Sequence, residues 1–243
     1  MTVSKANIKT VRSLQQKKQR EHMGLFVAEG RKCVEELNKT FERVLLFVEG
    51  ENATAEDIAR MSSLRTPQGV IGVFRMPRQG AIHTIDTTNL IVALDGVQDP
   101  GNMGTIIRTC DWFGVHDIVC SEDTADCFNP KVVQATMGAL ARVQVHYTDL
   151  SMWLPSLSQK GIPIYGTLLE GKNMYANGSI PNRKRGVIVM GNEGNGISQQ
   201  VRNLITHPLF IPPYPTDADT SESLNVGIAT AITLSEFRRP MDR

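Results

Sequence analysis

From Leu90 to the C-terminus, short apolar runs alternate with stretches patterned as helices, and this alternation most narrows what the chain can fold into. Strand-like runs fall at Leu90–Leu94, His116–Ser121, Val143–Tyr147, Ile162–Leu168, Gly186–Met190 and Leu209–Ile211. Helical patterning covers Asn129–Leu140, Asp149–Gln159, Ser198–Leu204 and Ser221–Arg239. Strands too apolar to alternate, with helices between them, predict an α/β domain built on a mostly parallel sheet. The first run empties into an Asp-, Gly- and Pro-rich loop. A helix is expected next, from about Asn102 or Gly104 to Phe113, with Gly114 as its stop. Pro155 is expected to kink or shorten its helix.

The first part of the chain reads differently. Residues 5–20 place apolar groups at 8, 11 and 14 among basic ones, which predicts one helix with a narrow apolar stripe. Strands are expected at Gly24–Ala28, Val44–Val48 and Val70–Phe74, with helices at Glu29–Leu37 and Thr54–Met61 and Thr54 as an N-cap. Arg75–Gly80 has the composition of a linker. The expected organisation is therefore a small α/β domain over 1–78, a linker over 79–88 and a second domain over 89–243. Charge supports the division. Residues 1–78 hold 14 Lys and Arg against 9 Asp and Glu, whereas 79–243 hold 12 against 16. The first twenty residues carry six basic side chains and no acid, which suggests a module for a polyanion, with Lys17, Lys18 and Arg20 as the candidate contacts.

Several chemistries are disfavoured. The four cysteines (33, 110, 120, 127) have no CxxC pairing, and the five histidines are scattered with no HExxH, so no metal is expected. No GxSxG elbow offers a serine nucleophile. Apolar runs are too short to span a bilayer and the first residues lack the core of a signal peptide, so a cytoplasmic protein without a membrane partner is expected.

Three polar loops that follow apolar runs carry what chemistry there is. The first, after Leu94, supplies Asn102 and Arg108. Arg108 can meet an anion near the helix start, or it can pair with Asp95, Asp99 or Asp111 and only hold the loop. The second is Gly191-Asn192-Glu193-Gly194-Asn195-Gly196-Ile197-Ser198. Its glycines allow close approach of a ligand, but their order is GxxGxG. That is neither the dinucleotide fingerprint nor a P-loop. The third runs from Ile211 to Ala229 and holds Glu222, Ser223 and Asn225. Ser221 is the expected helix cap, and the two polar residues are placed inside a first turn where they need partners or a task.

Read together, Asp95–Arg108, Val189–Ser198 and Ile211–Ala229 resemble the three motifs of the SpoU (TrmH-like) RNA ribose methyltransferases. Gly24–Gly30 and Thr66–Val70 are similar to the ribosomal-protein-like substrate-binding domain that precedes that catalytic domain. The resemblance implies a deep trefoil knot in the C-terminal sheet and S-adenosylmethionine as cofactor. By position it would be held at Thr167, Leu168, Gly191, Asn192, Gly194, Ile211 and Leu224. It further implies methyl transfer to a ribose 2′-hydroxyl, with Arg108 as the essential arginine and Asn102, Glu193, Ser223 and Asn225 as the other polar site residues, in a homodimer formed through the catalytic domain. The N-terminal domain points to large-subunit (23S) ribosomal RNA. Transfer RNA, or a non-catalytic role in RNA binding or ribosome assembly, are the alternatives. Tyr214–Thr220 departs from the family pattern in being longer, acidic and without glycine.

Overall fold

The computed structural model describes residues 2–77, 82, 85–215, 221 and 223–239. The chain forms two compact units, Met1–Gln79 with Asp126–Arg142, and Gly80–Ala125 with Val143–Arg243. The expected linker lies partly outside the described residues, as do Glu222 and residues 216–220 of the acidic loop.

In the first unit the expected single helix over 5–20 is two, α1 (Lys5–Ser13) and α2 (Lys17–Met23). The break has a physical cause. The Arg20 guanidinium donates to the Leu14 and Gln15 carbonyls at 2.9 Å each, taking acceptors that a continuous helix would use. Strands β1 (Leu25–Glu29), β2 (Arg43–Val48) and β3 (Val70–Arg75) form an antiparallel sheet in the order β1-β3-β2. Helices α3 (Arg31–Leu37) and α4 (Ala55–Met61) complete this part. Thr54 caps α4 as expected, and Asp57 closes a capping box with it.

Residues 126–142, read from the sequence as part of the second domain, pack in the first unit. Phe128 joins Phe26, at a ring-centroid distance of 4.8 Å, in a cluster with Phe41 and Phe74. The helix expected over 129–140 is shorter, α6 (Pro130–Thr136), because Met137 and Gly138 take positive φ. At Gly138 a Cβ would come within 2.6 Å of the Glu36 Cβ, so this position requires glycine for both space and conformation.

The second unit is the parallel α/β domain that the alternation implies. Strands β4 (Leu90–Asp95), β5 (Asp117–Cys120), β6 (Gln144–Tyr147), β7 (Ile164–Asn173), β8 (Gly186–Gly191) and β9 (His207–Phe210) form one sheet in the order β6-β5-β4-β8-β7-β9. All its pairings are parallel. Ile91, Ala93, Val119, Ile164, Val187 and Val189 face one layer with α7 (Leu150–Ser158) and Val201 of α8 (Gln199–Arg202). On the other side, Tyr165 of β7 meets Phe237 of α9 (Val226–Arg238) edge to face at 4.8 Å. Each fully buried aliphatic side chain contributes about 1.5–3 kcal/mol, and every residue of β4 is buried.

Three helix boundaries differ from expectation. Helix α5 (Pro100–Trp112) starts earlier, since Asp99 is the N-cap and Pro100 takes the first position, where its missing N–H is harmless. Helix α7 runs through Pro155, its buried Leu150, Trp153, Leu154 and Leu157 holding it to the sheet. Helix α9 begins at Val226 rather than Ser221, because Asn225 caps it.

Candidate functional site

The carboxyl ends of β4, β8, β7 and β9 lie side by side, the usual place for a ligand in an open parallel sheet. Each of the three polar loops leaves from this edge, and one chain of side-chain hydrogen bonds ties them together. Glu193, after β8, accepts at Oε1 from Asn102 Nδ2 (3.0 Å) and from the Asp99 N–H (3.2 Å), and at Oε2 from the Gln98 N–H (3.3 Å). Asn102 Oδ1 in turn accepts from Asn225 Nδ2 at 2.8 Å. Asn225 Oδ1 accepts from the N–H groups of Gly227 (2.9 Å) and Ile228 (3.2 Å) at the start of α9.

Each amide in this chain has its orientation set by its neighbours. The α9 N–H groups demand the oxygen of Asn225, so its nitrogen must donate to Asn102. The nitrogen of Asn102 is then left for the carboxylate. Burial alone would raise the Glu193 pKa, but donors from Asn102 and the N–H groups of Glu193, Asp99 and Gln98 outweigh it and hold the carboxyl below its ordinary 4.5. Asn102, Glu193 and Asn225 thus form one unit.

The chain of bonds does not reach the other two candidates. Ser223 is exposed just before the Asn225 cap, its carbonyl accepting from Ser221 Oγ at 3.4 Å. Arg108 is exposed on α5 and, among the described residues, has no hydrogen-bond or ion-pair partner. The alternative of an arginine locked into the loop by an aspartate is therefore not what the structure holds. The described residues contain no group of three or more metal-ligating side chains, and no helix long and apolar enough to cross a membrane.

The residues expected to hold the cofactor divide into two kinds. Thr167, Leu168, Gly191 and Ile211 are half-buried, the first two midway along β7, Gly191 at the end of β8 and Ile211 just after β9, and these strands are neighbours in the sheet in the order β8-β7-β9. The β7–β8 ladder stops at Gly166↔Val189, so Thr167 and Leu168 lie beyond it. Leu224 is 48 % exposed, an apolar side chain left at the surface. Backbone groups beyond the β7–β8 ladder, beside the apolar Leu168, Ile211 and Leu224, can take the polar edge of a largely apolar ligand.

Asn192 and Gly194 instead shape the loop. Asn192 Nδ2 donates to the Gly96 carbonyl at 2.7 Å, its Oδ1 accepts from the Gly194 and Asn195 N–H groups, and its backbone pairs with Gly196. Gly191 packs so tightly against this turn that a Cβ would lie 2.3 Å from the Gly196 carbonyl carbon.

Two participants escaped the sequence reading. Asp95 Oδ2 accepts from the Ser198 N–H at 2.7 Å and pins the second loop to β4. Asp99 caps α5 through the Asn102 N–H at 2.8 Å, a role signalled by the Asp-Pro pair.

Of the three basic residues proposed from charge, Lys17 and Lys18 are exposed. Arg20 is not a surface cation. It is 2 % exposed, and its Nε (3.2 Å) and Nη2 both bond Asp126 Oδ2. Burial removes it from the set that can meet RNA.

The SpoU rRNA Methylase family model matches residues 89–235, and the MRM3-like substrate binding domain model matches residues 5–60. The chain belongs to the SpoU rRNA methylase family. One relative is the 23S rRNA (guanosine(2553)-2′-O)-methyltransferase RlmP of Bacillus subtilis, 30 % identical over 95 % of both chains. Among solved structures, a TrmH-family protein from Porphyromonas gingivalis superposes with TM-score 0.87 at 39 % identity, covering 98 % of this chain and 99 % of its own. An AdoMet-bound rRNA methyltransferase from Sinorhizobium meliloti gives 0.85 at 29 % identity, covering 98 % and 97 %. In this SpoU chain the first matched region contains the bonded Asn102, Glu193 and Asn225, together with Arg108.

Proposed function

We propose that this protein transfers a methyl group from S-adenosylmethionine to a ribose 2′-hydroxyl of structured RNA, namely large-subunit ribosomal RNA. The observation that carries this reading is the bonded Glu193–Asn102–Asn225 chain, which joins three loops at the sheet edge, with Arg108 on the same helix as Asn102 and without a partner among the described residues. The substrate follows from the ribosomal relatives and the substrate-binding match over residues 5–60.

Thr167, Leu168, Gly191, Ile211 and Leu224 would hold the cofactor. Bound there, S-adenosylmethionine supplies an electrophilic methyl group on a sulfonium. The protein's task is then alignment of the hydroxyl and stabilisation of charge on its oxygen. A guanidinium keeps its proton, so Arg108 acts electrostatically on that oxygen or on the adjoining phosphate. Glu193 is occupied by its donors and serves as a positioning residue. The hydroxyl proton passes to water or to the RNA phosphate.

Two further features belong to the same proposal. Strand β8 lies between the earlier strands β4 and β7, an order that supports a knotted C-terminal half. Helices α5 and α9 pack closely, with Thr105 Cγ2 3.3 Å from the Cβ that Gly227 lacks, and they leave Trp112 (85 %) and Ile228 (54 %) exposed. These apolar residues suit a homodimer formed through this unit. The four cysteines are buried and none is in a disulfide, in keeping with the cytoplasm.

The test is transfer of labelled methyl groups to ribosomal and transfer RNA pools from cells lacking this gene, with wild type beside Arg108→Ala. Label in ribosomal RNA that vanishes in the variant is the expected result. Label in transfer RNA would overturn the substrate. No label in either pool, with RNA still bound, would leave a non-catalytic RNA-binding protein.

A further inference from the structure

Helix α1 is the most basic helix of the first unit. Its nine residues contain Lys5, Lys9 and Arg12 and no acid, and the first acidic residue of the chain is Glu21. Helices α2, α3 and α4 each carry at least one Glu or Asp beside their cations, and α6 carries Lys131 alone. Some other cations of this unit are paired, Lys17 with Glu21 (3.9 Å), Lys39 with Glu36 (2.6 Å), Arg60 with Glu56 (3.9 Å) and Arg75 with Glu42 (2.8 Å), while Lys18, Arg31, Lys32, Arg43, Arg65 and Lys131 are exposed and unpaired among the described residues without forming a row of three on one helix. Lys5, Lys9 and Arg12 are all exposed and, among the described residues, have no ion-pair partner.

Their spacing of four and then three residues puts them on one helical face, within about 60° of each other and along roughly 10 Å of axis. That face is held rigidly. Val11 and Leu14 are fully buried on another side of the helix, and Ser4 Oγ caps its start by accepting from the Asn7 N–H at 3.1 Å. The Val3 N–H donates to Asp57 Oδ2 at 3.1 Å, and Arg20 closes the far end through the Leu14 carbonyl. Three long cationic side chains thus stand in a row on a fixed support.

We propose that the Lys5–Lys9–Arg12 face of α1 is a docking strip for the phosphodiester backbone of RNA. The strip rests on the reading that the enzyme acts on RNA, and it assigns the contact to a surface that charge counting alone did not single out. A protein partner is the poorer fit. Protein interfaces are built around an apolar centre, and α1 contributes no exposed large apolar side chain. Cations without hydrogen-bonding or stacking neighbours meet phosphates and carry no base sequence, so the strip would position RNA rather than select it.

The experiment measures binding of unmodified ribosomal and transfer RNA over a range of KCl concentrations, with methyl transfer in parallel. Wild type is compared with Lys5→Gln/Lys9→Gln/Arg12→Gln and with the charge-preserving Lys5→Arg/Lys9→Arg. Loss of three phosphate contacts lowers the slope of log affinity against log salt by about 2 to 3 and weakens binding roughly a hundredfold at 0.1 M salt. The Arg-for-Lys variant is expected to restore both. S-adenosylmethionine affinity, unchanged in the triple variant, shows that the protein is folded, and the loss falls on KM for RNA. A triple variant with wild-type slope and KM would overturn the strip while leaving the enzymatic reading intact. A wild type that methylates nothing, yet loses its salt-dependent RNA binding in the triple variant, would keep the strip and remove the activity. Wild type that binds neither RNA would sink both.

Discussion

The N-terminal unit buries a guanidinium to hold its shape, whereas the C-terminal unit leaves one in solvent and saturates the polar groups around it. All three guanidinium nitrogens of Arg20 are bonded, to the Leu14 and Gln15 carbonyls and to Asp126. It links the end of α1 to a segment more than a hundred residues away in sequence. Arg108 has no partner among the described residues, while Asn102, Glu193 and Asn225 on the loops around the same sheet edge are bonded to one another. A buried, satisfied charge is architecture, because desolvation penalises any state in which it loses its partners. An exposed, unsatisfied charge on a rigid helix contributes little to stability and remains available to a ligand. The same side chain therefore reports opposite things, and only burial and partners separate them.

That contrast can be broken by exchanging the consequences of deleting each arginine. Arg20→Ala should cost about 3–5 kcal/mol of stability, since Asp126 and two carbonyls lose their donor in a buried place. The measurement is the urea midpoint at neutral pH. A change below 1 kcal/mol would mean that the pair is ornamental and that Arg20 is free for other work. Arg108→Ala should do the reverse. Stability stays within about 0.5 kcal/mol of wild type, while methyl transfer falls by roughly 10²–10³, the usual effect of removing one preorganised charge-stabilising donor. An Arg108→Ala protein that unfolds early, or one that keeps full activity, would collapse the distinction.

A smaller effect sharpens the description of the site. Asn225→Ala removes the N-cap of α9 and the last link to Asn102, and should cost about 0.5–2 kcal/mol. Because the three loops are bonded in series, activity should fall further than the cap alone explains. A double variant with Asn102→Ala should then lose less than the sum of the two single losses, as coupled residues do. Additive losses would show that the loops are held independently.

Much of this was legible in the chain. The parallel sheet was, because runs such as Leu90–Leu94 are apolar at every position and demand cover on both faces. The grouping of Asn102, Glu193 and Asn225 came from the resemblance of three polar loops to the SpoU motifs, and the structure bonds these residues to one another. What escaped is also instructive. The burial of Arg20 could not be read from a basic segment, since charge in a sequence carries no information about depth. The capture of residues 126–142 by the first unit depends on Phe128 finding Phe26, a long-range choice that local periodicity does not encode. Helix α9 was started too early because Ser221 looked like a cap. The true cap, Asn225, was recognised as polar and out of place, but its own bond to the helix start was not.

The least disruptive test of the contrast uses pH. Glu193 is held below its ordinary value, so its folded-state pKa lies under that of the unfolded chain. A group shifted in this direction stabilises the fold fully above the unfolded value near 4.5, and that contribution disappears as pH falls through the lower folded value. Glu193→Gln keeps the size of the side chain but replaces one acceptor oxygen with an amide NH2, leaving either the Gln98 N–H or the Asp99 N–H and Asn102 amide facing a donor. The difference in melting temperature between wild type and this variant should be constant from pH 7 down to about 5 and shrink only below that. A difference that shrank between pH 7 and 5 would require a carboxyl with a raised pKa. Glu193 would then be a group poised to exchange protons near neutrality, and the fixed acceptor at the centre of the site would have to be redrawn as a base.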